Sequence, residues 1–219
     1  RENKQNQTAD DANIKAWTKK TGRKVWLWNY SINNAQWGDN YGIPGMPHTT
    51  PRTIGNYYKR LKPYLSGAFL ECEADHFLWG VPNIYIASKV FWNADSDVDA
   101  LLDDFYEKMF GKGAPEIKRF FEVIEKTWLE NRQEVDTPLG PQLIHLSQFQ
   151  IWSKIYPPER IRELAALFDL AQKNAAGDAE ALKRIVFFRK NFLDVMRQYS
   201  EKFSKFQNNT AEIILPVKF

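Results

Sequence analysis

Two short strand-like segments, KVWLWNY at 24–30 and SGAFLECE at 66–73, flank a stretch with helical spacing, and that order leaves few folds open. In the first segment Val25, Leu27 and Asn29 alternate with Trp26, Trp28 and Tyr30, the period-two pattern of a strand. The second is a short apolar run that starts at Gly67 and closes on two carboxylates, Glu71 and Glu73. Between them Pro51 suits a first helical turn, Ile54, Tyr57, Tyr58 and Leu61 recur at steps of three and four, and Pro63 ends the run. Strand, helix, strand predicts a parallel pair, because parallel strands need a crossover, and it gathers the loops that follow each strand at one sheet edge. The first of those loops, Ser31 to Thr50, carries Gly38, Gly42, Pro44, Gly45 and Pro47, and a long loop in a compact domain is a place for function.

The rest of the chain reads as helix. Ile84, Ala87, Ser88 and Phe91 share one face. Val98, Leu101, Leu102, Phe105 and Met109 form a second helix, opened by a cap-like Ser96 with Asp99 and stopped at Gly111. A third runs from Pro115 to Asn131 with Ile117, Phe120, Phe121, Ile124 and Trp128 on one side. After a proline-punctuated region from Thr137 to Pro158, helices are predicted over Pro158–Ala175 and Ala179–Phe206. In the last, Leu182, Ile185, Phe192, Met196, Tyr199 and Phe203 form the stripe of an antiparallel bundle partner, interrupted by Arg189. The fold class is therefore mainly α with a small parallel β component.

Charge and cysteine usage narrow the function. Thirty basic against 27 acidic residues give a net charge of +3, without the concentrated basic face that nucleic acid demands. No apolar run approaches the roughly 18 to 20 residues of a membrane span. The single Cys72 excludes an internal disulfide. His48, His76 and His145 lie far apart with no metal-ligand spacing, and no glycine-rich phosphate loop is present, so neither a metal nor a cofactor is expected.

What stands out is rings and acids at one edge. Aromatic residues make up 15% of the chain. Sugars pack their C–H faces on Trp and Tyr, whose N–H and O–H groups also bind hydroxyls. Alternation puts Trp26, Trp28 and Tyr30 on one strand face; Trp26 is expected in the core, while Trp28, Tyr30, Trp37 and Tyr41, with Asn29 and Asp39 as hydrogen-bonding neighbours, are candidates for a sugar platform. Glu71 and Glu73, two apart, face one side of their strand with Cys72 on the other. Either acid is a candidate for catalysis, Glu73 being nearer the strand end; the alternative is an ion pair or a helix cap.

KVWLWNY, the Gly/Pro-rich loop, GAFLECE and NIYIASKVFWNADSDVDALLDDFYEKMFGKGAPEIKRFFEVIE together resemble the bacterial family called domain of unknown function 4838, with the run Tyr85–Ala114 the most specific piece. That family is similar to glycoside hydrolases related to α-glucuronidases and hexosaminidases. The resemblance implies a secreted, periplasmic or cell-envelope protein whose (β/α)8-type barrel contributes its C-terminal βα units over 1–92. A helical bundle over 93–207 follows, then a strand-like tail, 208–219, or the start of another domain. It implies glycosidic hydrolysis by paired carboxylates, with Glu73 or Glu71 as this segment's contribution and a carbohydrate as partner. Two strands do not close a barrel, so the chain by itself is expected to be inactive, its sheet edges covered by missing parts of the parent or by a second copy in a homo-oligomer. The competing readings are a noncatalytic carbohydrate-binding module and a helical scaffold or interaction module.

Overall fold

The computed structural model describes residues 4–32, 49–72, 78, 80–131, 133–138, 140–144 and 146–207. The chain begins with helix α1, Lys4–Thr21, which the sequence reading leaves unassigned: it is strongly polar and buries little beyond Ile14 and Asp11. It is tied to the next helix by polar contacts. Asp10 accepts from the Tyr57 hydroxyl at 2.9 Å, and Asp11 takes the Arg60 guanidinium through Nε at 2.6 Å and Nη2 at 3.1 Å.

Strand β1, Val25–Ile32, helix α2, Pro51–Leu61, and strand β2, Leu65–Cys72, form the expected unit. β1 and β2 pair in parallel, with Trp26 opposite Gly67, Trp28 opposite Phe69 and Tyr30 opposite Glu71. Helix α3, Val81–Trp92, packs against α2, and together they cover one face of the pair, where Leu27, Leu65, Ala68 and Leu70 join the core. Among the described residues no further strand pairs with either outer edge.

The helical part continues with α4, Val98–Phe110, and α5, Ala114–Asn131. The cap of α4 is Asp97, which accepts from the backbone N–H groups of Asp99 and Ala100; Ser96 instead donates to the Asn93 carbonyl, so the expected Ser96 cap is displaced by one residue. Gly111 stops α4 with φ +52°, a conformation that costs glycine little. A hairpin, β3 Gln133–Thr137 and β4 Gly140–Ile144, occupies a stretch read only as proline-punctuated. A capping box of Ser147 and Gln150 opens the one-turn α6, Gln148–Gln150, which runs into a π-helical turn, Ile151–Ile155. Helices α7, Pro158–Asn174, α8, Ala179–Phe188, and α9, Asp194–Gln207, complete the described part of the chain.

A second π turn, Arg189–Leu193, joins α8 to α9 and explains the break in the last apolar stripe. Arg189 reaches Asp169 at 2.5 Å and Gln172 at 2.8 Å on α7, while Phe188, Phe192 and Leu193 stay buried. Aromatic rings thread the whole interior: Tyr58 on Phe91 at 4.7 Å, Tyr85 on Phe105 at 5.0 Å, Phe120 on Phe168 at 5.0 Å, and Phe110 on Phe188 at 5.1 Å. Tyr85 and Phe105 are tilted and the other three pairs meet edge to face, contacts that add to the burial of their large apolar area.

Buried Gly55 of α2 lies against Val98 at the start of α4, so an added Cβ would collide with a Val98 methyl. Gly55→Ala gains helix propensity of about 1 kcal/mol but meets an overpacking cost of about 1–3 kcal/mol. The expected outcome in urea unfolding is a net loss of stability that Val98→Ala partly restores in the double variant. A Gly55→Ala chain more stable than the parent would show that α2 and α4 are not in this contact.

Candidate functional site

Sheet sidedness determines what the site is made of. With α2 and α3 on one face of β1–β2, alternation turns Trp26, Trp28, Phe69 and Glu71 to the other. Trp26 is 70% exposed, Trp28 65% and Phe69 55%. This corrects the expectation of a core Trp26: the helices take the Val25, Leu27 and Asn29 side, leaving the tryptophan side in solvent.

The face is ordered by cross-strand contacts. Across from Trp26 stands Gly67, whose missing side chain makes room for the indole: an added Cβ would lie 2.6 Å from Cη2, 2.7 Å from Cζ3 and 2.8 Å from Cζ2. Trp26 thus lies across β2 with one ring face on the glycine. One rung on, Trp28 meets Phe69 edge to face, at 5.6 Å and 84°. The Trp28 indole Nε1–H donates to Glu71 Oε2 at 2.8 Å. That bond runs diagonally from the Trp28 rung to the Glu71 rung and fixes the indole and the carboxylate toward the C-terminal ends of the strands, the edge where open α/β folds collect ligands.

Asn29 is not part of this face. Its Nδ2 donates to the Tyr58 hydroxyl at 2.6 Å, pinning β1 to α2 on the helix side. Burial raises the Tyr58 phenol above its ordinary value, and the Asn29 bond offsets part of that rise. Of the other sequence candidates, Glu73, Trp37, Asp39 and Tyr41 lie outside the described residues. Tyr30 is placed by its backbone on the Glu71 rung. Trp26, Gly67 and Phe69 are additions to the candidate set. Phe69 and Gly67 share the parity of Glu71, a signal legible in GAFLECE.

Behind the site, α5 holds the start of α2. Pro51 occupies its first turn, but the Thr50 side chain makes no cap; Glu125 of α5 supplies one, accepting the Arg52 backbone N–H at 3.2 Å through Oε1 and the Arg52 guanidinium at 2.6 Å through Oε2. Arg52 also reaches Asp99 at 2.7 Å and Glu122 at 3.4 Å. The fully buried Asn83 of α3 accepts from the Thr50 N–H at 2.8 Å, tying the starts of the two helices together. Burial raises the Glu125 carboxyl above its ordinary 4.5, and the Arg52 bonds oppose this without cancelling it. For Arg52, burial works against the charge, but its bonds to Glu125 and Asp99 prevail and hold the guanidinium above its ordinary value. The two partners differ because Arg52 faces three carboxylates, whereas the buried Glu125 shares one cation with two other acids.

A wider cleft of about 940 Å³ opens away from the sheet, where α4 turns into α5, lined in part by Asp103, Glu107, Lys112, Lys118 and Asp178. Its groups serve structure: Lys118 pairs with Asp103, and Asp178 caps α8 by accepting from the Ala181 N–H at 3.0 Å. Among the described residues no group of three or more His, Cys, Asp or Glu is placed to hold a metal ion. None of the helices there is long and apolar enough to cross a membrane.

A mostly helical protein with a small parallel βαβ unit that exposes an aromatic and acidic face is the class these features define. The chain belongs to the family described as a domain of unknown function (DUF4838), which it matches over residues 2–122, from α1 into α5. No curated protein and no solved structure matches the chain.

The raised Glu125 value carries a sign. The folded chain holds this proton more tightly than the unfolded chain, so the group's contribution is greatest below 4.5 and declines as pH climbs through the raised folded value. Glu125→Gln is expected to flatten the stability–pH curve across that interval. Glu125→Ala is expected to lose about 1–3 kcal/mol near neutrality, less than the ~3–5 kcal/mol of a fully buried pair, because Arg52 is 34% exposed and keeps Asp99 and Glu122. Urea unfolding at a series of pH values measures both, and an unchanged Glu125→Ala would remove the anchor.

Proposed function

We propose that this chain is the sugar-contacting part of a glycan-processing protein, in which β1, α2, β2 and α3 are the C-terminal βα units of a (β/α)8-type barrel and the following helices form its bundle domain. One observation carries the reading: the helix-free face of the sheet exposes Trp26, Trp28 and Phe69 beside Glu71. In a βα barrel the helices lie outside and the opposite strand face turns toward the axis, so the residues nearest the C-terminal ends of the strands, here Trp28 and Glu71, stand closest to the mouth where a substrate enters. The outer edges of β1 and β2 would pair with further strands of such a barrel.

The chemistry that fits is glycosidic bond cleavage by two carboxyl groups, one protonating the leaving oxygen and the other attacking the anomeric carbon or activating water. Glu73 is the residue of this segment we assign to that pair. Glu71 commits one oxygen to Trp28, which suits a residue that binds a hydroxyl and orients a ring. The same bond favours, as second reading, a noncatalytic carbohydrate-binding role for the segment. A secreted or cell-envelope location accords with either.

The test is a glycan microarray, followed by titration calorimetry, on the full chain and on the Trp26→Ala/Trp28→Ala double variant. Stacking contributes about 0.5–1.5 kcal/mol per ring, so the double variant is expected to bind about tenfold more weakly. Both rings are exposed, so its melting temperature should stay within a few degrees of the parent. No retained glycan, or equal affinity in the double variant, would sink the reading.

A further inference from the structure

We propose that the Trp26–Trp28–Phe69 platform selects pyranose units that are neutral or carry a protonated amine, and rejects uronic acids. The inference rests on the glycan reading above and adds the charge of the sugar it takes.

Among the described residues of the open face, Glu71 is the one ionisable side chain between the rung of Trp26 and the rung of Tyr30. Trp28 Nε1–H, a donor that a sugar carboxylate would seek, is already given to Glu71 Oε2. Among the described residues of the two strands and their immediate flanks, the nearest cation that alternation places on this side is Lys24, just before β1 and six residues before Tyr30, or about 20 Å along the strand from the Glu71 rung. That exceeds the screening length of roughly 8–10 Å at moderate salt, so Lys24 does not offset the carboxylate. Lys62, at the foot of β2, is held by Asp95.

The geometry also sets how a sugar lies. Trp26 rests flat on Gly67 and turns its second ring face outward, while Trp28 is held by Phe69 and Glu71. The two tryptophan rungs are about 6.6 Å apart along the strand, close to the length of one sugar unit. A linear oligosaccharide running with the strands therefore sets one unit on Trp26 and the next against Trp28. There Glu71 Oε1, which has no hydrogen-bond partner among the described residues, accepts from a hydroxyl or an ammonium group. A uronate at that rung would bring its carboxylate against Glu71, and two like charges in contact at a water-exposed site cost about a fivefold loss of affinity or more.

The experiment is titration calorimetry of the full chain with matched oligomers: cellulose and galactan tetramers against their C6-oxidised counterparts, and a chitin tetramer against its deacetylated form. Neutral oligomers are expected to bind at least fivefold more tightly than their oxidised partners. The deacetylated tetramer should bind at least as well as the acetylated one, with any gain lost at high salt. Glu71→Gln, checked for folding by circular dichroism, keeps an acceptor for Trp28 and is expected to bring each matched pair within about twofold. Trp28→Ala should weaken all oligomers alike. Oxidised oligomers bound as tightly as neutral ones, or discrimination unchanged in Glu71→Gln, overturns the charge selection while leaving glycan binding standing. A chain that binds none of these oligomers overturns both.

Discussion

The structure depends on a sheet of two parallel strands that is buried on one side only. β1 and β2 hold one another through their ladder and gain most of their stability from the side chains they turn toward α2 and α3. A parallel pair this small is marginal without such cover. Helices on one face leave the alternate residues of both strands in water, and those residues are three large rings and a carboxylate. Scattered exposed apolar residues need no explanation, but rings aligned rung by rung and locked to an acid form a surface that suits an amphipathic ligand.

The later helices serve that surface from a distance. Glu125, deep in α5, caps α2 and holds Arg52; Asn83 joins the start of α3 to Thr50. These bonds tie the starts of both helices to one another and to α5. An aromatic core running from Tyr58 and Phe91 through Phe105 to Phe120 and Phe168 makes the connection stiff. Displacing α5 would therefore be felt at the starts of α2 and α3.

The parallel pair was legible because the chain changes period from two to 3.6 and back within residues 24–73, and the helices after Val98 were legible from their stripes. Sidedness was not. Alternation groups Trp26 with Trp28 and Glu71 but does not say which group the helices cover, so Trp26 reads as core and is exposed. The role of Glu125 was open to reading, since it stands on the apolar side of α5 beside Ile124 and Phe121, where a charge requires a partner. Which partner depends on a tertiary contact 73 residues away. The β3–β4 hairpin escaped because Gln133–Thr137 has little apolar alternation and Pro141 interrupts β4. The break at Arg189 was visible in the sequence; its cause, a π turn that lets Arg189 reach Asp169 and Gln172, belongs to the packing of α7 on α8.

The chain's eight tryptophans provide the most direct view of where a ligand sits. Each indole N–H gives its own signal in a nitrogen–proton correlation spectrum, so titrating a neutral oligosaccharide into the labelled chain reports contact ring by ring. Shifts confined to Trp26 and Trp28, with the fully buried Trp152 unmoved, are the expected result. A ligand that shifts Trp152 or Trp128 and leaves the two sheet tryptophans where they were would place recognition among the later helices and contradict the account.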